Sequence, residues 1–178
     1  MITIIAGTNR KASQTEKIAG HIEKLLNQKE VDCHVIYLSE LKPTILHDLM
    51  YEEAHQCKSL AKIQDDYIIP ANKFIVISPE YNGSFPGALK LFIDALSIRS
   101  YAANFKHKKI GLVGVSSGWL GNTRGMDHLS DIFSYLGALC YPSKMAIPKV
   151  ETNFDGQNLT DATLEQLLVD FIDQFVAF

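Results

Sequence analysis

The run Lys73-Phe74-Ile75-Val76-Ile77 is apolar without alternation, the pattern of a strand buried on both faces. It gives way to Ser78-Pro79-Glu80-Tyr81-Asn82-Gly83-Ser84-Phe85-Pro86-Gly87, a stretch crowded with turn formers. The chain then resumes helical spacing from Ala88 to Leu96. A strand hidden on both sides needs helices above and below the sheet, so this segment predicts an α/β architecture. In open sheets of that kind, ligands bind outside the carboxyl ends of the strands. The loop from Ser78 to Gly87 falls there and carries an aromatic ring, a carboxylate, an amide and two glycines. Taken alone it also reads as an ordinary turn between strand and helix; two further loops add to the reading.

The remaining segments repeat the alternation. Met1 to Gly7 reads as a first strand, and Ser13 to Gln28 as a helix with Ile18, Ile22, Leu25 and Leu26 on one face. Val31 to Leu38 reads as a second strand, residues 42–56 as a long loop, and Cys57 to Ile69 as a helix. Lys109 to Val115 reads as a fourth strand. Met126, Leu129, Phe133 and Leu136 keep helical spacing, and Lys144 to Ile147 reads as a short fifth strand. A final helix carries the stripe Leu164, Leu167, Leu168, Phe171, Ile172, Phe175 and Val176, expected to cover one face of the sheet. Right-handed crossovers between such units give a three-layer fold. Its five-stranded parallel sheet has the flavodoxin-like order 2-1-3-4-5 and helices on both faces. One domain spanning residues 1–178 is expected, with no repeat or linker.

In that order the first, third and fourth strands are neighbours, and their loops line one crevice. The first loop, Gly7-Thr8-Asn9-Arg10-Lys11-Ala12-Ser13-Gln14-Thr15, offers hydroxyls, a guanidinium and the free N–H groups of a helix start, which suits a phosphate. Ser13 also reads as a plain helix cap. Neither a Walker A sequence nor G-x-G-x-x-G is present. The fourth strand leads into Ser116-Ser117-Gly118-Trp119-Leu120-Gly121, whose glycines let backbone amides approach a flat ring edge. Trp119, the only tryptophan, is placed to stack on a ring or to pack against a neighbouring element. A phosphate site beside two ring-binding loops describes a mononucleotide with a large ring, and flavin mononucleotide (FMN) suits it better than an adenine nucleotide.

Composition excludes several alternatives. A net charge of −3 without a basic block argues against nucleic acid or an anionic membrane as partner. The apolar runs are too short to span a bilayer, and the first residues read as a strand rather than a signal peptide. Three widely spaced cysteines fit a reducing compartment, and a cytoplasmic location is expected. The histidines and cysteines lack the paired spacing of a zinc site, so no metal is expected.

At these residues the chain resembles the NADPH-dependent FMN reductase family, which also includes azoreductase-like and chromate- or quinone-reducing members. The resemblance rests on Gly7-Thr8-Asn9-Arg10-x-x-Ser13, on Pro79 to Ser84 followed by Pro86-Gly87 and Leu89-Lys90, and on Ser116-Ser117-Gly118. It implies that Thr8, Arg10, Ser13, Gln14 and Thr15 hold the phosphate. It implies that Pro79, Glu80, Tyr81, Asn82 and Gly83 surround the isoalloxazine, with Ser117 and Gly118 at its polar edge. Gln14 stands where Asn is frequent, Leu91-Phe92 where Asn-Ala is usual, and Trp119-Leu120 where smaller residues are common. The resemblance further implies NADPH or NADH as hydride donor and ping-pong transfer through FMN to a small acceptor, whether a flavin, quinone, azo compound or metal ion. A homodimer or homotetramer is implied as well. No catalytic side chain is assigned, because the cofactor carries the redox chemistry. Glu80 is expected to order its loop rather than act as an acid. The alternative is a flavodoxin-type electron carrier, against which the mild net charge weighs. A receiver domain would need Asp at the end of the third strand. A low-molecular-weight phosphatase would need C-x-x-x-x-x-R, which is absent.

Overall fold

A computed structural model describes residues 1–41 and 49–178. Of the loop expected over 42–56, residues 42–48 lie outside the described residues, and a short 3₁₀ turn occupies Glu53–His55. Strand β1 (Ile2–Ala6) leads through the first loop into helix α1 (Gln14–Gln28), and strand β2 (Cys33–Tyr37) follows. Helix α2 (Lys58–Ile63) continues into a π-helical turn, Gln64–Ile68, within the helix expected there. Strand β3 (Lys73–Pro79), helix α3 (Gly87–Leu96) and the short helix α4 (Tyr101–Phe105) precede strand β4 (Lys109–Val115). Helix α5 (Thr123–Tyr135), strands β5 (Leu139–Cys140) and β6 (Met145–Ile147), and helices α6 (Val150–Asn153) and α7 (Ala162–Ala177) complete the chain.

The sheet is parallel in the order β2-β1-β3-β4, with the fifth position divided between two strands. Leu139 and Cys140 pair with Lys109 and Ile110, whereas Met145 to Ile147 pair with Val113 to Val115. Among the described residues, six strands therefore stand where five were expected. Pro142, in the gap, has no N–H to give a ladder, so the edge strand is interrupted there.

Strand residues alternate between two buried layers, as the pleat requires. Ile75, Ile77 and Val113 face Ile18, Ile22 and Leu26 of α1 and Leu168, Phe171, Ile172 and Phe175 of α7. Phe74, Val76, Ile110 and Leu112 face Phe92, Ile93 and Leu96 of α3 and Leu129 and Phe133 of α5. Each such side chain contributes about 1.5–3 kcal/mol on burial, so the two layers fix the strand order and hence which loops meet. One residue of the expected α7 stripe departs from it: Leu167 is half exposed, because the buried positions Leu168, Phe171, Ile172 and Phe175 already fill the face toward the sheet.

Candidate functional site

Gly7 ends β1 where the chains run too close for a side chain. Its N–H donates to Ile77 O at 2.8 Å, and a Cβ there would stand 2.6 Å from that same oxygen. The close approach brings the first loop against the end of β3. Beyond it, Asn9 to Ala12 are exposed, and Ala12 takes a left-handed turn at φ 53° that leads into α1. Ser13 caps α1 reciprocally: its Oγ accepts from Glu16 N and the Glu16 carboxylate accepts from Ser13 N, both at 3.2 Å. Ser39, in the 3₁₀ turn after β2, donates to the same carboxylate. The cap satisfies the third helical N–H. Those of Gln14 and Thr15 lack any intrahelical acceptor and remain for a ligand.

The second loop is a hairpin of one turn. Tyr81 and Ser84 exchange backbone hydrogen bonds of 2.9 and 3.1 Å, with Asn82 at φ 52° and Gly83 at φ 73° between them. Two positive φ values in sequence define a type I′ turn, for which Asn-Gly is the favoured pair. The hairpin carries Tyr81 across to the first loop, where its hydroxyl and Thr8 Oγ1 share a hydrogen bond of 3.0 Å. Ser84 Oγ meets His128 Nδ1 of α5 at 2.9 Å on the other side.

Asn122 ties the third loop to the second, and Ser116 shapes it from within. Asn122 is buried, and its Nδ2 lies 3.0 Å from Ser78 O, Ser78 Oγ and Pro79 O. Ser116 Oγ donates to Gly118 O and accepts from Gly121 N, both at 3.0 Å. Lys149 N and Val150 N then donate to Gly118 O and Ser116 O, which brings the start of α6 alongside.

The three loops and α6 enclose an open cleft with about 700 Å³ of empty space at the carboxyl edge of the sheet. Of the residues singled out in the sequence, Thr8, Arg10, Ser13, Gln14, Thr15, Pro79, Glu80, Tyr81 and Ser117 line it. Asn82, Gly83 and Gly118 do not line it; they shape the turns that carry lining residues. Ala12, Val115 and Ser116, which the sequence reading placed in these segments without naming them as site residues, line it too, as do Val150 and Glu151, which it missed. Trp119 also stands outside the lining, 78% exposed, with the Lys149 ammonium 3.1 Å from the centre of its ring. Gln14 Oε1 is buried without a hydrogen-bond partner. The cleft thus offers hydroxyls, two free helix N–H groups, a guanidinium at its mouth and an orphaned acceptor. That set suits a phosphate monoester on a hydroxylated chain.

Comparison with known proteins agrees with this geometry. Residues 1–152 match the family model for NADPH-dependent FMN reductase. An FMN-dependent NADPH-azoreductase of Staphylococcus aureus is 28% identical over 182 aligned positions, covering 98% of this chain and 93% of that protein. Among solved structures, the flavoenzyme NAD(P)H:(acceptor) oxidoreductase FerB of Paracoccus denitrificans superposes with a TM-score of 0.81 at 25% identity, over 99% of this chain and 94% of that one. A flavodoxin from Pseudomonas aeruginosa shares the fold at a TM-score of 0.63 and 15% identity, over 99% of this chain and 96% of that one. The chain belongs to the NADPH-dependent FMN reductase family, and is an oxidoreductase that works with FMN and NAD(P)H.

Proposed function

We propose that residues 1–178 form a single FMN-binding domain whose cleft holds the cofactor between the three loops and hands its electrons to a small planar acceptor, an azo compound or a quinone. The observation that carries this reading is the buried, partnerless Gln14 Oε1 beside the free N–H groups of α1. An acceptor left unpaired in a protein interior costs about 1–3 kcal/mol, and a ribityl hydroxyl would relieve it. The Gln14 and Thr15 N–H groups, the Thr15 and Ser13 hydroxyls and Arg10 would hold the phosphate, with the positive end of the helix dipole behind them. Pro79, Glu80 and Tyr81 would wall the ring, and the Asn82-Gly83 turn fixes their direction. Space opens above Gly118, where a Cβ would meet nothing nearer than 4.0 Å; the backbone of Ser117 and Gly118 can therefore approach a polar ring edge. FMN, when bound, supplies the exchange of two electrons between a nicotinamide and the acceptor. No side chain of the cleft is assigned an acid or base role. The protein's part is to bind, orient and shield.

The azo acceptor is taken from the Staphylococcus aureus relative by its name. A homodimer or homotetramer in the cytoplasm completes the proposal. Among the described residues no helix is long and apolar enough to cross a membrane. Initial rates of NAD(P)H oxidation by FMN-loaded protein, varied in donor and in a soluble quinone or azo dye, test the function. Parallel reciprocal plots are expected for one cleft serving donor and acceptor in turn. Intersecting plots would require a second binding site, and no turnover with FMN in place would make the protein an electron carrier.

A further inference from the structure

Trp119 is the chain's single tryptophan, and at 78% exposure it is among the most exposed large apolar side chains. Leu120 beside it is 65% exposed. One indole face is covered by the Lys149 ammonium, 3.1 Å from the ring centre, in the geometry of a cation–π pair. With that much of the residue in water, the opposite face is open. Neither residue lines the cleft, but both are chain neighbours of residues that do. Ser117, two residues before Trp119, lines the cleft, as does Val150, one residue after Lys149. The Lys149 N–H donates to Gly118 O at 2.8 Å and holds the two segments together.

We infer that Trp119 and Lys149 form a subsite for the adenosine 2′-phosphate end of NADPH, with adenine on the open indole face and the phosphate on the Lys149 ammonium. Nucleobases stack on exposed aromatic faces irrespective of their edges, and a lysine ammonium serves a phosphate as a mobile point charge with three donors. The subsite adjoins lining residues along the chain, and one dinucleotide would span from the cofactor to it. NADH lacks the 2′-phosphate and would forgo the Lys149 contact. The inference rests on the reading of the cleft as the FMN site.

The test uses FMN-loaded protein titrated with adenosine 2′,5′-bisphosphate and with 5′-AMP, followed by calorimetry and by the emission of Trp119. The bisphosphate should bind about tenfold more tightly, the scale of one charge-assisted contact at a partly exposed site. Lys149→Met should bring the two ligands to equal affinity and raise the ratio of KM for NADPH to KM for NADH about tenfold. Lys149→Arg should restore the preference, and Trp119→Ala should weaken both nucleotides alike. Equal affinities in the unaltered protein, or a preference that survives Lys149→Met, would overturn the inference. So would Trp119 emission that responds to protein dilution but not to nucleotide, since the indole would then be a contact between copies. Flavin absorbance is read on every variant. Protein unable to hold FMN would refute the cleft reading, whereas FMN-loaded protein without a 2′-phosphate preference refutes the subsite alone.

Discussion

Asn122 never touches the cleft, yet the position of Pro79 depends on it. Its amide nitrogen binds the last carbonyls of β3 from the third loop, inside the protein. Asn122→Ala would remove the amide donor from both carbonyls and leave Pro79 O with only the Ser78 hydroxyl, at a cost of about 1–3 kcal/mol of stability. FMN affinity should fall with it, because Glu80 and Tyr81 would lose their anchor. A denaturant midpoint and an FMN titration on the same variant check both effects. Arg10 separates the two quantities in the opposite sense. It is exposed at the mouth of the cleft, so Arg10→Ala should cost about 1.5–3 kcal/mol of FMN binding with little change in Tm. An unchanged Kd would show that the guanidinium serves something else. These two residues also mark what the sequence could disclose. Arg10 stands in a loop whose hydroxyls and helix start already spell a phosphate site. Asn122 is one polar residue in a glycine-rich stretch, without period or motif, and its partners are set by strand pairing some forty residues away.

At the scale of elements, the longer helices and strands β1 to β4 were legible because their apolar residues recur with period 3.6 or run unbroken, whereas the five-residue α4 was not foreseen. The Asn82-Gly83 hairpin was signalled by its turn formers, though its role as the arm carrying Tyr81 to Thr8 emerges only from the fold. Less could be foreseen after α5. The edge strand is broken around Pro142: Lys144 to Ile147 was read as a strand and stands as β6, whereas Leu139-Cys140 is too short to show a pattern. For the same reason α6, four residues long, was not anticipated, and with it Val150 and Glu151 in the cleft. The π-helical turn after α2 is tied to the rest of the molecule by Lys108, which precedes β4. Its ammonium donates to Ile68 O at 2.8 Å and to Ile69 O at 2.7 Å, and burial lowers its pKa from 10.5 to about 8. Below about pH 8 folded and unfolded chains both hold this proton, and the folded state bears the full cost of burying the charge. Between about 8 and 10.5 the unfolded chain binds more protons, so this group makes stability rise with pH. Lys108→Met should abolish that rise. Urea midpoints at the two ends of the window measure it, and equal slopes in both proteins would contradict the assignment.

The molecule as a whole is a scaffold that brings three loops, distant in sequence, to one edge. β1, β3 and β4 lie side by side in the sheet, and everything proposed for the cleft follows from that adjacency. The fold could be read in advance because a mainly parallel sheet of this size admits few orders. The cleft was half legible, since the residues on the strand ends announced themselves and those delivered by the split edge did not. In the proposed arrangement the first loop and the start of α1 would hold a terminal phosphate while the other loops would hold a ring. Equilibrium titration of the apo-protein with FMN and with riboflavin, which differ only in that phosphate, tests this most directly. FMN should bind at least about tenfold more tightly than riboflavin, by the strength of one charge-assisted hydrogen bond or more. Equal affinity for the two would contradict the account, because the cleft would then hold a ring without reading the phosphate.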